Sequence, residues 1–245
     1  MKILFCGDTH GDTNNLKSII DIAQSNECSI IMVVGDFGIF AKLDECKNFI
    51  LEIQHYAKLH NVFVHFIRGN HDDTEYLRSF TKGSTYTTSI TENIIYHPNG
   101  NVWTFDKLKL FAAGGAISCD KHRRTLGIDY FKDEGIQFED IGYSLLTGKC
   151  DIVVSHDAPY SSDIDSYFDF RQDILALENR RMLQRICENT KPKMVIHGHY
   201  HMPMTNKGHY VHNNEYVEME CLSLGYNYNI DTQFKIIDTE DKKWE

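Results

Sequence analysis

"KILFCGDTHGD", residues Lys2 to Asp12, joins a short apolar run to a glycine-containing turn that carries Asp8 and His10. An apolar run of this length is typical of a strand buried on both faces. A helical spacing of apolar residues begins after the turn and continues to Ser25. Strand, turn and helix in this order predict the first half of a βαβ unit, with polar side chains where the strand ends.

The same alternation continues along the chain. Helical patterns occupy 43–59 and 174–188, and between 85 and 115 the pattern changes to short strands. Segments of alternating polarity close the chain, which is typical of an antiparallel stretch. We therefore expect one α/β domain over residues 1–245, with two sheets, the second entered in mid-chain. Four further apolar runs indicate buried strands, at 30–34, 62–67, 151–155 and 194–198.

Composition narrows the class of protein. The formal net charge of -10 argues against general binding to a nucleic-acid backbone, which needs a surplus of Lys and Arg. It leaves an anionic substrate open, because bound cations can reverse the sign of the local field. Seven scattered cysteines without a CxxC pair indicate reduced thiols rather than disulfides. With no signal-peptide pattern and no apolar run of membrane length, we expect a cytoplasmic protein that does not contact a membrane.

Polar residues suited to metal binding follow each predicted buried strand. In open α/β sheets, ligand sites collect beyond the carboxyl ends of strands. Carboxylate, imidazole and amide groups suit Mn²⁺, Fe or Zn²⁺, and there are more of them than one ion needs. Two neighbouring ions that share a carboxylate would lie about 3.5–4 Å apart, as in two-metal hydrolases. The strand-end residues are Asp8, His10, Asp36, Asn70, His71, Asp72, His156, His197, His199 and His201.

These blocks, in this order, resemble the signature of the calcineurin-like metallophosphoesterase superfamily: Asp8-x-His10, Gly35-Asp36, Gly69-Asn70-His71-Asp72, His156 and Gly198-His199-x-His201. The chain looks like a small bacterial or phage-type member. The resemblance implies a four-layer α-β-β-α sandwich, in which two mixed sheets are flanked by helices. It also implies a dinuclear metal site at the carboxyl ends of the strands.

The resemblance further implies a role for each metal-site residue. Two divalent ions are expected, Mn²⁺ first, with Fe, Zn²⁺ and Ni²⁺ as alternatives. A water or hydroxide held between them would attack phosphorus. His197 shares the parity of the histidines that follow it along an extended segment, so geometry leaves it open as a ligand. By similarity, Asp8, His10 and His201 bind one metal, Asn70, His156 and His199 bind the other, and Asp36 bridges them.

Three further parts of the chain are expected to form the substrate pocket. By similarity, His71 lies outside the metal shell, protonates the leaving group or binds a phosphate oxygen, and is oriented by Asp72. Arg123 and Arg124 belong to the densest basic cluster of the chain, in a segment similar to one in some bacterial and phage members. They are predicted to contact the substrate phosphate, with a solvated loop as the alternative. The polar and aromatic segment 155–170 is a second candidate wall of the pocket.

The expected function is metal-dependent hydrolysis of phosphate mono- or diesters. A phosphodiesterase or nuclease acting on nucleotides or short oligonucleotides is the alternative. Two other interpretations stay open: a catalytically silent binding scaffold of the same fold, and a single-metal hydrolase of another bond. A protein Ser/Thr phosphatase is not expected, because the block "GDFGIFAK" lacks the arginine of the "GDxVDRG" pattern in those relatives.

Overall fold

A computed structural model describes residues 1–40, 44–164 and 173–244. Strands and helices alternate through the first part of the chain, as the apolar runs predict. Leu43, where the second helix was expected to begin, lies outside the described residues, as does the part of the predicted loop 155–170 from 165 onward. The elements are β1 (Lys2–Cys6), α1 (Thr13–Ser25), β2 (Ile30–Val33), α2 (Asp44–Leu59), β3 (Phe63–Phe66) and α3 (Thr74–Thr81).

The second part of the chain contains the short strands and the longest helix of the described ranges. Single turns of 3₁₀ helix occur at Lys121–Arg123 and Lys242–Trp244. The other elements are β4 (Thr88–Ser89), β5 (Ile94–Tyr96), β6 (Val102–Phe105), β7 (Leu108–Ala113), α4 (Phe138–Thr147), β8 (Ile152–Ser155), α5 (Ile174–Thr190), β9 (Met194–His197), β10 (Met204–His212), β11 (Glu215–Ser223), α6 (Ile230–Gln233) and β12 (Phe234–Asp238).

Within the described ranges, twelve strands form two six-stranded mixed sheets. The first has the order β12-β1-β2-β3-β5-β4 and the second β10-β11-β9-β8-β7-β6. Each has four parallel strands in its centre and one antiparallel strand at each edge. The chain crosses to the second sheet at β6, in mid-chain as expected. One strand differs from the expected antiparallel closing segments, because β11 runs parallel to β9.

Alternate residues of the strands pack into different layers. In β1, Leu4 packs against α1 and α2, whereas Ile3 and Phe5 point into the layer between the two sheets. In β8, Val153 packs against α5 and Val154 points between the sheets. The predicted four-layer α-β-β-α arrangement is therefore confirmed. Strands with apolar residues on both faces appear in the sequence as continuous apolar runs, which is why these strands could be predicted from it.

Two helices begin at aspartates that the strand-end turns supply. The Asp12 carboxylate accepts a hydrogen bond from the backbone N–H of Asn15 and caps α1. Asp73 accepts from the N–H of Tyr76 and caps α3 in the same way. No helix in the described part of the chain is long and apolar enough to cross a membrane.

Candidate metal centre

The carboxyl ends of β1, β2 and β3 in one sheet and of β8 and β9 in the other meet at one edge of the sandwich. The structure brings all seven predicted metal ligands together there. Four of them have backbone in the left-handed region, with φ of 46° at His10, 49° at Asp36, 69° at His199 and 55° at His201. Such conformations cost free energy for residues other than glycine and cluster at functional sites.

The first group of ligand atoms belongs to Asp8, His10 and His201, whose ligand atoms all lie within 4.8 Å of one another. The Nε2 of His201 is 3.0 Å from Oδ2 of Asp8 and 3.2 Å from Nε2 of His10. The Asp8 Oδ2 atom is buried, and no group in the described residues meets it with full hydrogen-bond geometry, although Nε2 of His201 is close. A buried carboxylate oxygen beside two imidazole nitrogens is a set of donor atoms that a divalent cation satisfies.

The second group consists of Asp8, Asp36 and His156, again with all ligand atoms within 4.8 Å of one another. The Oδ2 of Asp36 is 3.3 Å from Nε2 of His156 and 3.6 Å from Nε2 of His10. This carboxylate oxygen therefore lies between the two groups. The His199 ring is 5.1 Å from that of His156. The backbone N–H of His199 donates to Oδ1 of Asp8 at 3.1 Å.

The hydrogen bonds around His156 leave its Nε2 facing only acceptors. Its Nδ1 is 2.9 Å from the carbonyl oxygen of Val34, so Nδ1 carries the proton and donates. Its Nε2 then faces Oδ1 of Asn70 at 3.0 Å and Oδ2 of Asp36. Second-sphere carbonyl groups fix the ring of metal-binding histidines in this way. A cation between these acceptors would satisfy all three, so the residues present fit a metal ion.

Ser118 and Glu134 fix the orientation of the Asn70 amide. Ser118 donates its hydroxyl proton to Glu134 Oε2 at 2.6 Å and accepts from Nδ2 of Asn70 at 2.9 Å. The amide oxygen of Asn70 must then point into the centre. Sequence reasoning missed both residues: they lie 16 positions apart in loops, and no local pattern connects them to Asn70.

The charged groups of the centre shift one another's pKa. Burial would raise the pKa of Asp36, but the positive charge of the neighbouring His156 holds it well below its usual range. Burial alone would lower the pKa of His156, yet Asp36 and Asp8 raise it to about 10, so without a metal ion a proton on Nε2 takes the place of the cation. Burial lowers the pKa of His199 to about 4. The two carboxylates are therefore ionised, and they attract positive charge into the centre.

Two of the glycines that precede the metal-site residues leave no room for a side chain. A Cβ atom on Gly69 would overlap Oδ1 of Asp36, and one on Gly198 would overlap Oδ1 of Asp8. The backbone of each turn thus passes directly beside a carboxylate from another strand end. This packing explains why glycine occupies both positions.

The hydrogen bonds of Asp72 correct the prediction that it orients His71. Its buried carboxylate accepts four backbone N–H groups, which hold the turn after β2 against the turn after β3. These bonds position the backbone around Asp36 and Asn70. They come from Phe37, Gly38, Ile39 and Gly69, at 2.8–3.1 Å.

Arg124 takes the place beside His71 that was predicted for Asp72. Its Nη1 is 2.7 Å from Nδ1 of His71, and its other nitrogens bind the Asp120 carboxylate at 2.6 and 2.7 Å. Because a guanidinium can only donate, Nδ1 of His71 accepts, and the ring is neutral with its proton on Nε2. Burial also lowers the pKa of His71. The Arg123 side chain is exposed on the 3₁₀ turn, so only Arg124 reaches the centre.

A hydrogen bond between Asp157 and Tyr200 links the turn after β8 to the turn after β9. Sequence reasoning missed both residues. The Tyr200 hydroxyl donates to Oδ1 of Asp157, whose other oxygen accepts from Asn179 at 2.7 Å.

His197, which the sequence left open as a metal ligand, is fully buried, and it belongs to neither ligand group found in the described ranges. Its ring packs edge-on against Tyr200.

The chain is similar to a known family and to solved structures. The family model for calcineurin-like phosphoesterases matches residues 1–203. TT1561 from Thermus thermophilus is similar in fold, with a TM-score of 0.53, 11% identity, and 97% and 98% of the two chains covered. A dimetal phosphatase from Danio rerio gives 0.53 and 11%, with 96% of this chain and 91% of that chain covered. No curated protein matches the sequence.

Proposed function

The chain belongs to the calcineurin-like phosphoesterase family, and from that premise we propose that it is a dinuclear metal-dependent hydrolase of phosphate mono- or diesters. One observation carries the proposal. Two groups of ligand atoms share Asp8, and Asp36 lies between them. This arrangement supports two ions held side by side, because a single ion would leave one of the groups without a partner.

Seven residues would hold the two ions. The mixture of carboxylate, imidazole and amide oxygen ligands favours Mn²⁺, with Fe, Zn²⁺ and Ni²⁺ as alternatives. When bound, the ions lower the pKa of water and offset negative charge on a phosphoryl group. All seven cysteines are free, which supports a reducing compartment such as the cytoplasm. The proposed ligands are Asp8, His10 and His201 for one ion, Asn70, His156 and His199 for the other, and Asp36 for both.

His71 and Arg124 would bind the phosphoryl group from the side of the loop that follows the 3₁₀ turn Lys121–Arg123. The proton on Nε2 of His71 is available to an oxygen of the substrate, because Nδ1 is engaged by Arg124. Hydrogen bonding to that oxygen, rather than donation of a proton from an imidazolium, is the role this contact favours. The Asp120 carboxylate holds the Arg124 guanidinium, so its positive charge has a fixed position beside His71. The ion pair with Asp120 is formed by Nε at 2.6 Å.

Arg124 and Arg123 provide a matched pair of variants. Replacing Arg124 with methionine should lower kcat/KM by about 10- to 100-fold, because a charge-assisted contact and the support of His71 are both lost. The same change at Arg123 should alter kcat/KM by at most a few-fold, because that side chain is exposed. Steady-state kinetics on one aryl phosphate would measure both. Equal losses in the two variants would contradict this assignment.

The proposal is tested by hydrolysis with Mn²⁺-loaded protein. Aryl phosphate mono- and diesters, nucleotides and short oligonucleotides should be compared at equal concentration. Turnover of at least one class is expected, and its removal by a chelator should be reversed by Mn²⁺. A folded, Mn²⁺-loaded protein that hydrolyses none of them would support the silent-scaffold interpretation instead.

A further inference from the structure

Tyr226 forms an aromatic wall on one side of the metal centre. Its ring stacks on that of His201, with centroids 4.5 Å apart and an angle of 22° between the planes. It also meets the His10 ring edge-on at 5.2 Å. Both histidines are proposed ligands of the same ion, so this tyrosine packs directly beside that metal site.

The segment that carries Tyr226 is held in place by polar contacts. Asn227 donates from Nδ2 to the Asp12 carboxylate at 3.1 Å. The N–H of Gly225 donates to the carbonyl oxygen of Thr232 at 2.9 Å. Asn229 caps the short helix α6. The tyrosine is therefore presented by a loop that is anchored on both sides of it.

Tyr228 extends the aromatic wall into solvent. Its ring meets that of Tyr226 edge to face, 5.0 Å away at 85°. Its side chain is 84% exposed. This exposed ring beside Tyr226 offers a surface to a flat partner, because stacking on it removes apolar area from water.

A group that could bind phosphate packs against the same histidine as Tyr226 does. The His71 ring is 5.2 Å from that of His10, on which Tyr226 also packs. Arg124 lies beside His71. A phosphate bound at this centre would thus have Arg124, His71 and the two tyrosine rings in its surroundings. A phosphoester whose alcohol carries a flat group could use both kinds of neighbour.

We propose that Tyr226 and Tyr228 stack a nucleobase and that the substrates are phosphoesters of one or a few nucleotides. The inference rests on the proposed phosphoesterase function. A π-face is common to all bases, so stacking tolerates sequence while selecting for a base. The net charge of -10 disfavours long nucleic acids, and no Lys or Arg occurs between 224 and 229 to follow a backbone.

Calorimetry with adenosine monophosphate and glycerol phosphate tests this stacking. Both ligands carry a phosphomonoester, and only the first has a base. With Mn²⁺-loaded protein we expect the nucleotide to bind about 5- to 100-fold more tightly. Tyr228→Ala should remove most of that preference and leave the affinity for glycerol phosphate unchanged. Tyr228→Trp should retain it.

Tyr216 provides the matched control. It is a 78% exposed tyrosine at the opposite end of β11, and Tyr216→Ala should keep the full preference for the nucleotide. Equal affinity of wild-type protein for the two ligands would overturn the proposal. So would a Tyr228→Ala variant that weakens both ligands alike. Hydrolysis of an aliphatic phosphoester by the same preparations reports on the phosphoesterase function separately, because that reaction needs no base.

Discussion

Asp36→Asn is expected to lower the metal content of both sites and to abolish most phosphoester hydrolysis. The Asp36 Oδ2 atom lies 3.6 Å from Nε2 of His10 and 3.3 Å from Nε2 of His156, so one negative charge serves two groups of ligands. Asparagine keeps the shape, and its Oδ1 can still accept from the N–H of His71. The variant therefore removes charge with little change in packing.

The size of the effect follows from the position of Asp36. Loss of outer-sphere partners of a metal ligand already costs about 10- to 100-fold in metal affinity. Loss of a shared ligand should therefore cost at least about 100-fold for each ion. Elemental analysis after dialysis should show that wild-type protein retains two ions and the variant less than one.

Asp12→Asn is the control for this substitution. Asp12 is close in sequence to the centre, but its carboxylate caps α1 and binds Asn227. An asparagine also caps helices, so this variant should fold and keep both ions. If Asp36→Asn retained as much metal as Asp12→Asn, the shared role of Asp36 would be disproved.

His71→Ala is expected to keep both ions and to lose about 10²- to 10³-fold in kcat, because removal of one donor to the charge that develops on a reacting oxygen costs about this much in other hydrolases. The backbone N–H of His71, which donates to Asp36 at 2.9 Å, is unchanged by the substitution. Steady-state kinetics and elemental analysis of the same sample would measure the two quantities.

His55 serves as the control for this loss. It is an exposed histidine on α2 and belongs to no site described above. His55→Ala should retain wild-type kcat. A His71→Ala variant with the kcat of His55→Ala would exclude His71 from the reaction, whereas a variant without metal would place its role in metal binding.

The predicted metal ligands come together because their signal is local. Each follows a strand buried on both faces, so its place at the strand end is visible within a short stretch of sequence. Parallel strands then bring these ends to one edge of the fold. The caps at Asp12 and Asp73 were predictable for the same reason, because a helix begins directly after each of them.

Contacts between distant loops could not be predicted in this way. His71 and Arg124 are 53 residues apart, and the choice between Arg124 and Asp72 as the partner of His71 depends on how two turns pack. The sequence neighbour was the wrong choice, because four backbone N–H groups hold the Asp72 carboxylate. Tyr226 lies beyond the last motif and reaches the centre only because β11 pairs with β9.

The central claim is that two metal ions act together in this centre. Its most direct test is the rate of phosphoester hydrolysis as Mn²⁺ is titrated into metal-stripped protein at a concentration well above the dissociation constants. The rate should rise until two equivalents are bound to each chain and stay constant thereafter. A plateau at one equivalent, or a protein that binds two ions and hydrolyses nothing, would contradict the account.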